Sequence, residues 1–511
     1  MQSETEKKEA APAPLPEDKV VVTRHRTAIG GKEIRYTVTT GTLVLKEEAV
    51  KKGENEGAFD GEKPKATVFF VAYTKDGVDD VSRRPVTYSF NGGPGSSSVW
   101  LHLGVLGPKR VLMDDIGNPT PPPYRLVENE FSLLDQTDLV FIDPVSTGFS
   151  RPVPGEKAKE YHGFKKDIES VGDFIRLYTS RFARWTSPKF LIGESYGTTR
   201  AAGLSGYLQE RHGMYLNGIM LVSSILDFQT ARFGPGNDLP HILFLPTYAA
   251  TAWYHKRLPE ALQKKPLRAV LAEVEEFASG EYTLALMQGS GLSENKRRQV
   301  ARKLAGYTGL TLEYVERTNL RIQILRFTKE LLRDQGKTVG RLDSRFTGVD
   351  RDAAGETFEY DPSYATIQGP YTATFNQYVR QELKFESDLT YEVLAGLYNQ
   401  WSYKEFENQY VNVAETLRKA ISMNPYLKVF VGSGYYDFAT PYFAAEYTFN
   451  HLGLDPGLEA NLTKAYYEAG HMMYVHKPSL AQMKQDLARF IRGALPAGTP
   501  KQKPARGKRG R

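Results

Sequence analysis

Gly193-Glu194-Ser195-Tyr196-Gly197 constrains the fold of this chain more than any other stretch. It follows the apolar run Lys189-Phe190-Leu191-Ile192 and precedes Thr198–Glu210, which reads as helix. A strand that turns sharply through Gly-x-Ser-x-Gly into a helix brings backbone so close that glycine is needed at both flanks. The serine then sits at the apex, presented above the end of a strand. An ordinary surface serine needs none of this geometry, so the pattern predicts a nucleophile at Ser195.

A serine hydroxyl is a weak nucleophile near neutral pH and needs a base, itself oriented by a carboxylate. In strand–elbow–helix chains the partners follow in the order acid, then histidine. Leu427–Gly432 reads as a buried strand, and a Gly/Ser/Tyr loop leads from it to Asp437. Thr463–Glu468 reads as another strand, broken by Ala469-Gly470 just before His471, with a helical pattern from Pro478 to Ile491. Both side chains therefore fall at C-terminal strand ends, the edge where open α/β sheets carry their sites. Of the 9 histidines, His476 is the nearest rival to His471. Asp455, the rival acid, lies in an Asp-Pro-Gly setting that suggests a turn.

Acyl transfer also needs donors aimed at the developing oxyanion. One is the N–H of the residue after the nucleophile, Tyr196. The other comes from a loop after an earlier strand. Pro85–Phe90 reads as that strand and runs into Asn91-Gly92-Gly93-Pro94-Gly95-Ser96-Ser97-Ser98. Alone this would be a Gly/Pro turn. Paired with the elbow, it makes the Gly93 N–H the second donor.

With these residues in place the chain resembles the serine carboxypeptidase family of α/β-hydrolases. Asn91–Ser98 looks like that family's oxyanion loop and Gly193–Gly197 like its nucleophile elbow. Ile142–Ser150, Gly432–Thr440 and Ala469–Met472 are similar to its intervening, acid and base segments. The resemblance implies removal of C-terminal residues from peptides with a free C-terminus. It implies that Asn91, the Gly92 N–H and Glu194 bind the substrate's terminal carboxylate, with Glu194 protonated so that it donates. It implies no metal and no organic cofactor. The chain also departs from the family: Val105 stands where many members carry a second glutamate, Ser89 replaces a tryptophan, Ser96 replaces a cysteine, and Thr198-Thr199-Arg200 follows the elbow. Arg200 either supplies positive charge for a carboxylate or pairs with a surface acid. The remaining readings of the same residues are an esterase or acyltransferase and, from another class, a catalytically silent binding protein.

Strand and helix patterns alternate along much of the chain, which predicts an α/β class: a mostly parallel sheet with helices on both faces. Val20–Lys46 alternates apolar and polar residues as an antiparallel entry to the sheet, which Ala66–Tyr73 and Pro85–Phe90 continue. Leu139–Ile142 and Gly218–Leu226 read as strands and Phe164–Phe182 as helix. From Asp227 to Tyr403 the pattern is helical and charged, broken by Pro240, Pro246, Pro259 and Pro266. The expected organisation is a flexible lead-in over 1–20, core over 21–226, an inserted helical lid over 227–403, core again over 404–495 and a basic tail over 496–511. Tyr248, Trp253 and Tyr254 either line the pocket or pack helices.

Composition narrows the partners. The formal net charge of +6 equals the six basic residues of Lys501–Arg511, so the rest of the chain is neutral and no nucleic-acid-binding surface is expected. No apolar run is long enough to span a membrane. Cysteine is absent, which excludes disulfides, thiolate zinc sites and a cysteine nucleophile. Because eukaryotic secreted members of the family this chain resembles typically carry disulfides, the resemblance implies a bacterial-type relative. No signal peptide is written in the sequence, yet the Glu/Lys/Ala/Pro-rich start resembles a segment that follows a removed one. A periplasmic or secreted location is expected, with a cytoplasmic one as the alternative.

Overall fold

In the computed structural model, which describes residues 16–53 and 56–496, nine strands form the path of the central sheet. They are β1 (Lys19–Ile29), β2 (Lys32–Val50), β3 (Phe59–Lys75), β4 (Val86–Phe90), β5 (Asp138–Ile142), β6 (Lys189–Glu194), β7 (Gly218–Val222), β8 (Lys428–Gly434) and β9 (Leu462–Tyr467). Their spatial order is β1-β2-β3-β5-β4-β6-β7-β8-β9, and the two-residue strand Arg151–Pro152 pairs with β3. The first four of that order pair antiparallel. From β5 to β9 every pairing is parallel.

The parallel strands read as continuous apolar runs because both faces are covered. Side-chain alternation divides them between two cores. Phe190, Ile192, Met220, Val222 and Phe430 pack with Leu480, Met483, Leu487 and Ile491. Leu191, Ile219, Leu221, Val429 and Val431 pack with Val171, Ile175, Ala201 and Leu204 on the opposite face. The first group of helical residues belongs to Lys477–Gly493. The second belongs to α1 (Phe164–Arg181) and α2 (Tyr196–His212). A left-handed Gly213 closes α2, its N–H reaching Leu208 O.

β4 corrects one expectation. Pro85–Phe90 does not continue the antiparallel entry but lies between β5 and β6, parallel to both. Strand direction is set by what the chain does between strands, and a five-residue apolar run carries no trace of it. At the N-terminus, β1 begins at Lys19, inside the expected lead-in; residues 1–15 of that lead-in and 497–511 of the expected tail lie outside the described residues.

Between β7 and β8 the chain is mainly helical, with a third apolar cluster that includes Leu243, Phe244, Val274, Leu304 and Phe327. Pro246 does not break this region; it lies inside the helix α3 (Leu239–Tyr254). Proline removes one helical hydrogen bond, but here its neighbours Leu243, Phe244, Leu245 and Ala249 are all buried, and their packing offsets that loss. Pro240 starts the same helix, and Pro259 and Pro266 are N-caps, which suits proline at helix starts.

Candidate active site

Ser195 sits where the sequence places it, between the last residue of β6 and the first of α2. Its backbone is at φ 61°, ψ −129°, a strained conformation for a residue with a side chain. The elbow explains its glycines. A Cβ at Gly193 would lie 2.1 Å from Gly197 O, and one at Gly197 would lie 2.9 Å from Phe90 O. From Leu191 to Arg200 every residue is buried except Ser195, which is partly exposed.

The oxyanion loop packs directly on this turn. A Cβ at Gly92 would lie 2.4 Å from the Tyr196 nitrogen, so Asn91-Gly92-Gly93 runs against the elbow with no side chain between. Gly93 has φ 101° and hence needs glycine. The two expected donors, the N–H groups of Gly93 and Tyr196, therefore belong to adjoining segments.

Asp437 and His471 leave the ends of β8 and β9 and meet. His471 Nδ1 is 2.7 Å from Asp437 Oδ2. A carboxylate only accepts, so Nδ1 carries the proton and Nε2 is left free as a base. Asp437 is fully buried and its other contacts are donors: N–H groups of Ala439 and Thr440 donate to Oδ1 at 2.7 and 3.1 Å, and the Thr440 hydroxyl donates to Oδ2 at 2.7 Å. Burial alone would push the His471 pKa down. The Asp437 charge and hydrogen bond, with the Glu194 charge, outweigh it and leave the imidazole raised above 6.5.

Glu194 is buried beside these groups. Burial pushes its carboxyl up to about 7, against the pull of His471 and of a hydrogen bond from Tyr474. Asn91 lies at the same carboxyl. Its Oδ1 accepts from Leu101 N–H at 3.1 Å, while its Nδ2 is buried with no partner of good geometry. Val105 is fully buried and brings no second carboxyl.

Arg200 departs from both expectations. It is completely buried, its Nε donates to the equally hidden Asp167 at 2.8 Å, and its Nη1 donates to Asn91 O. It ties α2 to the strand end that carries the oxyanion loop. The rivals fall away as well: His476 bonds Ser479 Oγ at 2.8 Å, and Asp455 caps a turn through Gly457 N–H. Tyr248 and Trp253 pack helices. Tyr248 stacks on Phe327 and donates to Ile322 O, and Trp253 donates to Lys265 O.

Several supporting residues were not anticipated. Ser223 N–H donates to Gly432 O and its hydroxyl to His471 O at 2.7 Å, linking three strand ends. The segment Arg341–Ser344 threads between the acid and base loops. Leu342 O accepts from His471 N–H at 2.7 Å, Asp343 Oδ2 from Gly470 N–H at 3.0 Å and Arg341 O from Phe438 N–H at 3.0 Å. Trp401 donates its indole N–H to Tyr196 OH at 3.1 Å, and Ala395 N–H bonds Gly95 O. None has a local sequence signal, since each acts across a long stretch of chain.

The set contains the groups that acyl transfer uses: a partly exposed serine on a strained turn, an imidazole oriented by a buried carboxyl, and backbone N–H groups on adjoining segments. The family model for serine carboxypeptidase matches residues 47–488. The pheromone-processing carboxypeptidase KEX1 of Saccharomyces cerevisiae is 34% identical over 135 residues, 25% of this chain and 17% of that protein. Serine carboxypeptidase-like 34 of Arabidopsis thaliana is 27% identical over 206 residues, 36% of this chain and 35% of its own. The matches thus span about a third or less of these relatives. The crystal structure of Kex1(delta)p, a prohormone-processing carboxypeptidase from Saccharomyces cerevisiae, superposes with a TM-score of 0.54 at 16% identity, over 89% of this chain and 92% of that one. At that identity the likeness shows a shared fold, the α/β-hydrolase sheet. With the family model matched across most of its length, the chain belongs to the serine carboxypeptidase family.

Proposed function

We propose that the protein is a serine-type carboxypeptidase that removes C-terminal residues from peptides with a free C-terminus. Ser195 Oγ attacks the last peptide carbonyl while its proton passes to His471 Nε2. Asp437 holds the tautomer and stabilises the imidazolium. The N–H groups of Gly93 and Tyr196 hold the oxyanion. The C–N bond then breaks, His471 protonates the leaving amine, and a water activated by the same nitrogen releases the acyl group and restores Ser195. No step calls on a metal or organic cofactor.

The observation that carries this reading is the pairing of Asn91 and Glu194 beside the elbow. Asn91 Nδ2 is a buried donor without a partner, and Glu194 is a carboxyl raised to about 7. A buried amide donor without a partner, beside a carboxyl that holds its proton up to about 7, suits an anion, and a substrate's terminal carboxylate is one. The Gly92 N–H adjoins them. Residues 227–403 serve as a lid whose Arg341–Ser344 segment is also part of the histidine's support. An exported location, periplasmic or secreted, suits a general peptidase.

Mass spectrometry of a mixed peptide library, each member with a free or an amidated C-terminus and Ser195→Ala as control, tests the reading. Serial loss of C-terminal residues from the free peptides alone, absent with Ser195→Ala, is expected. Hydrolysis of small esters with no peptide trimming would refute it in favour of an esterase or acyltransferase.

A further inference from the structure

The Glu194 carboxyl has one close side-chain hydrogen bond, from the Tyr474 hydroxyl to Oε2 at 2.6 Å. Both residues are buried. Tyr474 lies three residues beyond His471, in the turn before the final helix. Its ring occupies space opened by Gly104, where a Cβ would lie 2.3 Å from Tyr474 Cε2 and 3.0 Å from Tyr371 OH. The neighbouring Val105 offers no polar group. Glycine at 104 and an aliphatic side chain at 105 thus leave this tyrosine as the polar contact on that side of Glu194.

We propose that Tyr474 is a positioning residue for carboxylate recognition, its hydroxyl engaging Glu194 Oε2 so that the acid's proton sits on Oε1 and is donated to the bound substrate. This rests on the reading of Glu194 given above. A phenol donating to one carboxyl oxygen makes that oxygen the acceptor, and a neutral acid then carries its proton on the other. The groups facing Glu194 are His471, Asp437, Tyr371, Tyr474 and Asn91. His471 favours the anion and Asp437 opposes it. Tyr474 favours the anion too, so it orients the acid at some cost to its protonation.

That opposition makes the role testable. Tyr474→Phe keeps the ring and removes the donor. The alkaline limb of kcat/KM for a free-C-terminus peptide should move up by about one pH unit, because a hydrogen bond to the charged form is lost. KM below that limb should rise about fivefold as the acid loses its orientation. In a Glu194→Gln background no limb remains to move, and the double variant should match Glu194→Gln in the shape of its profile. A uniform fall at every pH, or the same shift in both backgrounds, would overturn the proposal. If the wild type itself shows no preference for free over amidated C-termini, it is the carboxypeptidase reading that fails. A second measurement needs no Tyr474 variant: the infrared C=O band of protonated Glu194, identified by its loss in Glu194→Gln, should sit at a hydrogen-bonded frequency. A free-carbonyl frequency would overturn the proposal as well.

Discussion

Glu194→Gln separates the two states of the residue proposed above to bind the substrate's terminal carboxylate. Burial lifts the carboxyl from an ordinary 4.5 to about 7 in the folded protein. At about 1.4 kcal/mol per unit this corresponds to about 3 kcal/mol. Below the unfolded value both states are protonated and there is no penalty. Between 4.5 and about 7 the folded state holds the extra proton, so stability falls as pH rises. Above that window the folded protein carries the full cost of a buried anion. His471, with a folded pKa above 6.5, pushes in the same direction, since its contribution is also lost as pH rises. The amide cannot ionise. Glu194→Gln should therefore match the wild type in denaturant unfolding near pH 4 and exceed it by about 3 kcal/mol near pH 8. Its activity profile on free-C-terminus peptides should flatten on the alkaline side, because glutamine donates at every pH. The acid limb should move down, since the anion that helped raise His471 is gone. An equal loss of activity at all pH values, with no gain in stability at high pH, would refute the reasoning.

Other substitutions test the surrounding framework. Asp437→Asn should lower kcat by about 10⁴-fold on peptides and esters alike, because the amide would donate to Nδ1 and favour the wrong tautomer; steady-state kinetics on a folded variant checks it. Arg200→Met leaves Asp167 buried without its cation and should cost about 3–5 kcal/mol in denaturant unfolding, much of it recovered by adding Asp167→Leu. Asp343→Ala releases the Gly470 N–H and strands Arg345, so stability and kcat both fall. Adding Arg345→Met should restore stability but leave kcat at least about tenfold down, and joint recovery would show that the segment only stabilises.

The elbow and oxyanion loop were legible because their geometry is written in glycines. Gly92, Gly193 and Gly197 each sit where a Cβ would strike backbone. Asp437 and His471 were legible because strand–loop units place them at one edge of the sheet. Glu194 and Asn91 came from the resemblance alone. Arg200 and Asp167 lie on two different helices, and no periodicity says that they meet. Asp343 reaches Gly470 across 127 residues, out of a helical region with no visible tie to the sheet. Ser223 and Tyr474 are unremarkable in sequence because their roles come from which strand ends adjoin. Pro246 misled for the opposite reason: a strong local signal yielded to apolar packing around it.

The buried carboxylates of the described residues show why Glu194 stands apart. Asp138 is met by Arg84 and Arg184, Asp167 by Arg200, and Asp343 by Arg345. Asp437 has His471, two backbone N–H groups and a hydroxyl. Asp143 and Glu194 form no ion pair with a cation among those residues, and each is raised to about 7, burial being the first cause. Asp143 uses one oxygen to hold the Ser98 N–H and lies against Gly148, so it braces a loop. Glu194 lies beside Ser195 and His471, where the proposed carboxypeptidase reaction brings in a carboxylate. An arginine in its place would attract that carboxylate at every pH, but its charge would also oppose the imidazolium that forms on His471 during acyl transfer. A charged carboxylate would favour the imidazolium and repel the substrate. A neutral acid would do neither: it would hold the anion through a hydrogen bond, and while it stays protonated the field at His471 would be left to Asp437.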